Sequence, residues 1–139
     1  MAYQITGDVT LLGKFILGLS ALAFISSGVV SLFSPAIPAG VAGLIINSGD
    51  GFAEVGGMYG GLQTGVGLFC LLALIQKEFY RPGLAVLALT VGSLAAARLI
   101  SAWVAVEPIT FYTHAALGYE LITAACAVCA FYRTPHDPA

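Results

Sequence analysis

Four stretches of the chain are each long and apolar enough to cross a lipid bilayer as a helix. The hydrocarbon core of a bilayer is about 30 Å thick, so a spanning helix needs roughly 20 mostly apolar residues and must satisfy its own backbone hydrogen bonds. The stretches that meet this requirement are residues 11–33, 52–76, 84–106 and 110–132. Short links make successive helices antiparallel neighbours. The sequence therefore predicts one integral membrane domain over residues 1–139, all-α, folded as an antiparallel four-helix bundle.

The composition also limits the function. Hydrophobic residues make up 59% of the chain and charged residues 9%, whereas soluble domains carry roughly 25% charged residues. The net charge of −2 comes from scattered side chains, so there is no basic surface for nucleic acid, and we exclude that partner. The glycine run GGMYGG lacks the Lys of a phosphate-binding loop. The motifs of the sequence do not form a catalytic triad of a nucleophile and a base. We therefore favour a non-enzymatic protein of the lipid bilayer.

Charged residues near the ends of the spans predict the orientation. The basic ones would all fall on one side of the membrane: Lys14, Lys77, Arg81 and Arg133. The loops on the other side contain Asp50 and Glu107 and no basic residue. Because basic residues concentrate on the cytoplasmic side, we expect both termini to be cytoplasmic.

Two charges of opposite sign lie deep inside the apolar runs. Arg98 lies eight residues from the end of the third span at Val106, which is a depth of about 12 Å. Glu120 lies at about 13 Å in the fourth span by the same rise per residue. Charged side chains inside a membrane usually face the bundle interior and pair with one another. We therefore predict an Arg98–Glu120 ion pair.

Other polar side chains fall in the same half of the predicted bundle. Gln63 and Tyr59 share a face of the second span, Glu54 precedes them, and His114 begins the fourth span. Together with Arg98 and Glu120, these residues are our candidates for a ligand or ion site that opens toward the outside. The alternative is that these polar groups only fix which helix packs against which. We predict no metal ligand, because His114 lacks partners in a metal-binding spacing.

Small residues recur along two of the spans. Gly57, Gly61 and Gly65 repeat every four residues, which is the pattern that lets membrane helices approach closely. Four serines share one stripe of the first span: Ser20, Ser27, Ser31 and Ser34. Both stripes are predicted to face protein, either within one chain or between copies.

Two further segments have more than one interpretation. The apolar segment AGVAGLII, after Pro35 and Pro38, is too short to span. It is interpreted either as a lid over the outer end of the bundle or as a passive interfacial segment. Cys126 and Cys129 have a C-x-x-C spacing, but they lie inside an apolar helix, where we interpret them as packing residues. Any redox role of this pair stays open.

The motifs EVGGMYGGLQTGVGLF, AAARLIS, VEP and GYELITA, in this order, define a resemblance over roughly residues 50–130. The chain resembles small four-span bacterial membrane proteins grouped as a domain of unknown function, in the neighbourhood of DoxX-like proteins. The resemblance implies a bacterial inner membrane. It also implies that Arg98, Glu120 and the YGG of residues 59–61 are family positions, while Glu54 stands where that family has a basic residue.

These observations leave three functional hypotheses. The first is a non-enzymatic membrane protein that acts as a homo-oligomer or as an accessory subunit of a membrane complex, with a buried polar site at Arg98 and Glu120. The second is a transporter or channel for a small solute, ion or proton, with Glu54 and Glu120 as a relay. The third is a redox-linked protein that binds a quinone or another lipid-like ligand. The sequence identifies no cofactor and no particular ligand.

Overall fold

The described part of the chain is helical. The computed structural model describes the backbone of residues 2–134 and the side chains of residues 11–134, and it contains no strand within that range. The helices are α1 (Ala2–Phe33), α2 (Ala36–Ala42), α3 (Gly49–Val55), α4 (Gln63–Ile75), α5 (Lys77–Val104) and α6 (Phe111–Arg133). A π-helical segment at Gly56–Leu62, called the π segment below, joins α3 to α4.

Four helical stretches are long and apolar enough to cross a membrane: Leu11–Phe33, Gly49–Ile75, Lys77–Val104 and Phe111–Arg133. The second of these stretches consists of α3, the π segment and α4, and is called the second span below. The chain is thus a multi-pass membrane protein, and the predicted all-α fold class is confirmed.

The link between the second and third spans is shorter than the sequence suggests. Residues 77–83, expected in a loop, belong to α5, and the chain breaks at Gln76, whose backbone is extended (φ −113, ψ 118). Pro82 lies near the amino end of α5. A proline there removes one backbone hydrogen bond but does not end the helix, because few helical turns precede it.

The four spans form an antiparallel bundle. α1 packs mainly on α4 and also on α6, whereas α5 packs mainly on α6 and also on α4. α1 and α5 therefore lie diagonally across the bundle. Fully buried side chains concentrate at the end of the bundle where α4 meets α5, which we call the closed half: Leu17, Ala21, Cys70, Ala73, Leu84, Leu87, Ala127 and Ala130.

Glycines bring α1 and the second span into close contact, but they are not the glycines of the predicted stripe. A Cβ atom at Gly67 would lie 2.7 Å from Ile25 Cγ1, and one at Gly60 would lie 2.7 Å from Leu32 Cγ. By contrast, a Cβ atom at each position of the predicted stripe would have no atom of the described chain within 4 Å: Gly57, Gly61 and Gly65. This stripe therefore does not pack on another helix of the described chain, and its packing between copies stays a prediction.

Candidate functional site

Beyond the closed half, the helices surround a cavity of about 790 Å³. This volume lies within the range of roughly 300–1,000 Å³ that is typical of small-molecule sites. Most of its wall is apolar and comes from α1, α2, the second span, α5 and α6. The polar side chains of the wall are Ser27, Ser31, Tyr59, Gln63, Thr90, Arg98, Tyr112, Tyr119 and Glu120. The cavity is thus a half-open, mostly apolar space with a few polar groups that can orient a ligand.

The predicted ion pair lies in the cavity wall, and its prediction is confirmed. Arg98 Nε donates to both carboxylate oxygens of Glu120 at 3.0 Å, and Arg98 Nη2 donates to Oε1 at 2.8 Å. The Glu120 side chain is 5% exposed, whereas that of Arg98 is 24% exposed. The Arg98 guanidinium also lies over the Tyr112 ring, 5.9 Å from its centroid, within the range of a cation–π contact. Two side chains of α6, Glu120 and Tyr112, therefore hold the Arg98 guanidinium of α5 in place.

One edge of the Arg98 guanidinium is left free. A guanidinium has five N–H donors, and Glu120 engages only Nε and Nη2. Among the described residues, none forms a hydrogen bond with Arg98 Nη1. Because Arg98 lines the cavity, these unused donors can serve a molecule that enters it.

Gln63 does not complete the ion pair. Its side-chain oxygen Oε1 accepts a hydrogen bond of 2.7 Å from Ser27 Oγ, which joins the second span to α1. The amide nitrogen of Gln63 then adds further donors to the cavity wall, since the oxygen is already engaged. The polar wall therefore consists of two separate units, one at Arg98 and Glu120 and the other at Gln63 and Ser27.

The π segment brings Tyr59 and Gln63 to the cavity. A π-helix is rare and, where it occurs, frequently marks a functional site. The glycines of GGMYGG offer little side-chain bulk against the wider turn, and α1 packs directly on Gly60. The carbonyl of Gly60 accepts a hydrogen bond of 2.8 Å from Thr64 Oγ1. The glycine run, which we interpreted as a packing stripe, coincides with this irregular turn.

A family model described as Domain of unknown function (DUF4345) matches residues 12–131. The chain belongs to the DUF4345 family. The matched range contains Arg98, Glu120 and every other side chain of the polar wall. Comparison with curated proteins and with solved structures gives no match. The predicted resemblance to a family of unknown function is thereby confirmed, and the family description assigns no activity.

The other predicted site residues of this DUF4345 protein are divided between the cavity and the surface. Tyr59 and Gln63 line the cavity. Glu54 and His114 are both exposed. The described residues that line the cavity do not include either of them. His114 Nδ1 lies 2.9 Å from the carbonyl oxygen of Thr110 at the start of its own helix. The structure thus brings four of the six candidates together.

Sequence reasoning missed Thr90 as a member of the DUF4345 cavity wall. Thr90 lies two turns from Arg98 on α5 and lines the cavity. Its hydroxyl donates to the carbonyl of Val86 at 2.7 Å, so a spanning helix accommodates it without a partner on another helix. A serine or threonine whose hydroxyl bonds to the backbone of its own helix fits in an apolar span. Its presence in the sequence therefore does not indicate that it lines a polar site.

The described residues contain no group of three His, Cys, Asp or Glu side chains that could hold a metal ion. The three cysteines of the DUF4345 domain are free thiols, with Cys70 buried and Cys126 and Cys129 half-buried. The polar groups at the cavity are therefore the candidate site that the structure offers.

Proposed function

We propose that this DUF4345 protein is a non-enzymatic membrane protein that binds a small amphipathic molecule in its cavity, with the polar group of that molecule at Arg98. The observation that carries the proposal is that Arg98 lines the cavity while no described residue accepts a hydrogen bond from its Nη1. A charged group at membrane depth is costly unless its donors are satisfied. A ligand oxygen at Nη1 would satisfy donors that Glu120 leaves unused.

A purely structural ion pair is the main competing explanation. Polar pairs can fix the packing of two helices without any ligand. Such a pair needs no open space beside it. By contrast, the Arg98 side chain is 24% exposed and borders a cavity of about 790 Å³. The open space next to the charge supports binding over packing alone.

We place the protein in the inner membrane of a bacterium, with both termini cytoplasmic. The four basic residues near span ends support this orientation: Lys14, Lys77, Arg81 and Arg133. In this orientation the closed half lies in the cytoplasmic leaflet and the cavity in the outer leaflet. The relation to DoxX-like proteins stays a prediction.

We also propose that the chain acts as a homo-oligomer or as a subunit of a larger membrane assembly. The support is the stripe of Gly57, Gly61 and Gly65, which faces away from the rest of the described chain. Small residues at this spacing allow close helix contacts in membranes. A second helix can therefore approach the second span from outside the bundle.

Native mass spectrometry of the protein, purified from its own membranes in mild detergent, tests the binding proposal. We expect a constant extra mass on each chain. Ala116→Phe should remove this mass, because Ala116 lines the cavity and a phenyl ring would fill part of it. Ala125→Phe is the matched control, since Ala125 is exposed on the same helix and outside the lining. Equal extra mass on both variants, or none on the wild-type protein, would contradict ligand binding in this cavity.

A further inference from the structure

We propose that the cavity is filled from the bilayer, through a side opening between Leu62 of the π segment and Leu94 of α5. The ligand is then a neutral amphiphile whose hydrogen-bond acceptor binds Arg98 and whose hydrocarbon tail lies in this opening. This inference rests on the proposed function and adds the class of the ligand and its route of entry.

The opening continues the line along which the second span meets α5. The two helices touch in the closed half, where a Cβ atom at Gly83 would overlap Ala73. Residues seven and eleven positions from that contact return to the same helix face. On antiparallel helices, counting eleven residues outward reaches Leu62 on one side and Leu94 on the other, about 16 Å from the contact. These two leucines therefore lie across from each other.

The two helices separate before they reach this level. α4 packs on α5, whereas contact between the π segment and α5 is slight. Leu62 and Leu94 both line the cavity, and 56% and 43% of their surfaces are accessible. Together with the slight contact between the two helices, this accessible surface supports an opening between the two leucines.

The opposite side of the bundle, between α1 and α6, stays packed farther outward than the side between α4 and α5. α1 and α6 approach each other where a Cβ atom at Gly13 would lie 3.2 Å from Ala130 Cβ. Counting outward from that contact pairs Ser20 with Thr123, and both side chains are buried. Farther out on α1, Ser31 is still only 3% exposed. The side between Leu62 and Leu94 is therefore the preferred entrance.

The outer end of the cavity is lined by apolar side chains. α2 follows α1 directly, and it places Ile37, Pro38 and Val41 in the cavity lining. A polar solute from water would have to pass these side chains and lose its hydration. An amphiphile already dissolved in the bilayer reaches the side opening without leaving an apolar environment.

The charges of the wall select a neutral head group. Arg98 and Glu120 are the charged residues among the described lining, and they cancel each other. An anion at Arg98 would leave a net negative charge in an apolar chamber, which is unfavourable. The free groups of Arg98 are donors, so an uncharged acceptor such as an ester or ketone oxygen fits them best.

The test measures binding of four probes to the purified protein by native mass spectrometry. Glycerol monododecanoate has a neutral ester head and a tail, dodecanoate has the same tail with an anionic head, and dodecyltrimethylammonium has a cationic head. Glycerol monoacetate has the neutral head without a long tail. We expect retention of one glycerol monododecanoate per chain and at least about tenfold weaker binding of the other three probes.

Two pairs of variants test the opening. Leu94→Trp and Leu62→Trp should each lower retention of glycerol monododecanoate about tenfold, because the larger ring occupies the space in which the bound tail lies. The matched controls are Leu89→Trp on α5 and Leu68→Trp on α4, two exposed positions outside the described lining. They should bind the probe like the wild-type protein. The first pair is thus Leu94→Trp with Leu89→Trp on α5, and the second is Leu62→Trp with Leu68→Trp. The second pair alone tests the opening if either variant of the first pair fails to fold.

Three results would overturn the inference. Binding of glycerol monoacetate as strong as that of glycerol monododecanoate, or unchanged retention in the Leu94 and Leu62 variants, would exclude the side opening. Stronger retention of dodecanoate would exclude the neutral head group. In each case the proposed function survives if Ala116→Phe still removes the mass bound to the native protein. It fails with the inference if neither a probe nor a native ligand binds.

Discussion

Replacing Glu120 by Gln tests how strongly the ion pair stabilises the fold. The substitution keeps the shape of the side chain but removes its charge, and the Arg98 guanidinium stays ionised. Removing one partner of a buried pair costs about 3–5 kcal/mol, and an arginine near the centre of a membrane helix costs about 2.5–3.5 kcal/mol. Because 24% of the Arg98 side-chain surface stays exposed, we expect a cost at or just below the lower end of these ranges, about 2–3 kcal/mol.

A second substitution separates the ion pair from general damage to the site. In the Arg98→Gln/Glu120→Gln variant both side chains are uncharged and can still hydrogen-bond, so only about 1 kcal/mol should be lost. Adding Arg98→Gln to Glu120→Gln should therefore restore about 1–2 kcal/mol of the free energy of unfolding. Glu107→Gln is the control, since Glu107 is exposed in the loop before α6.

The assay is reversible unfolding in mixed micelles with increasing sodium dodecyl sulfate, followed by circular dichroism. The four proteins are compared at the same detergent composition. The reasoning is refuted if the double variant is less stable than Glu120→Gln, or if Glu120→Gln unfolds like Glu107→Gln.

Two further predictions concern the glycines of the second span. Gly67→Ala should lower the free energy of unfolding in the same assay by about 1–3 kcal/mol, because its Cβ would press on Ile25, whereas Gly65→Ala, which meets open space, should not. Gly61→Leu should shift the oligomer distribution in native mass spectra toward the single chain, because a large side chain prevents close helix contact. The control is Ala96→Leu, at an exposed position of α5, which should leave the distribution unchanged. An unchanged distribution for both variants would show that the glycine stripe is not an interface.

The ion pair could be predicted because two simple rules govern it. Hydropathy places the spans, and the fixed rise of a helix gives the depth of each charge, so Arg98 and Glu120 come to the same level on neighbouring helices. Pairing then follows from the cost of leaving either charge alone. No knowledge of detailed packing was required.

The π segment and its consequences could not be predicted in the same way. An α-turn and a π-turn differ by one residue in the hydrogen-bonded ring, and packing on another helix decides between them. Here the close approach of α1 to Gly60 lies within that turn. The packing face of the second span contains Gly60 and Gly67 rather than the predicted stripe, and Gln63 meets Ser27 rather than Arg98. Glycines lie on both faces of this span, and periodicity alone does not say which face packs on α1.

The unequal packing of the two halves has a mechanical consequence. The closed half contains most of the fully buried apolar side chains, so opening it would require nearly global unfolding, whereas the end with fewer buried side chains can open locally at lower free energy. The closed half can then act as a pivot, about which the far ends of the helices spread or approach without loss of the core. If the cavity binds a ligand as proposed, one bundle can thereby hold ligands of different width while the packing of its closed half stays unchanged.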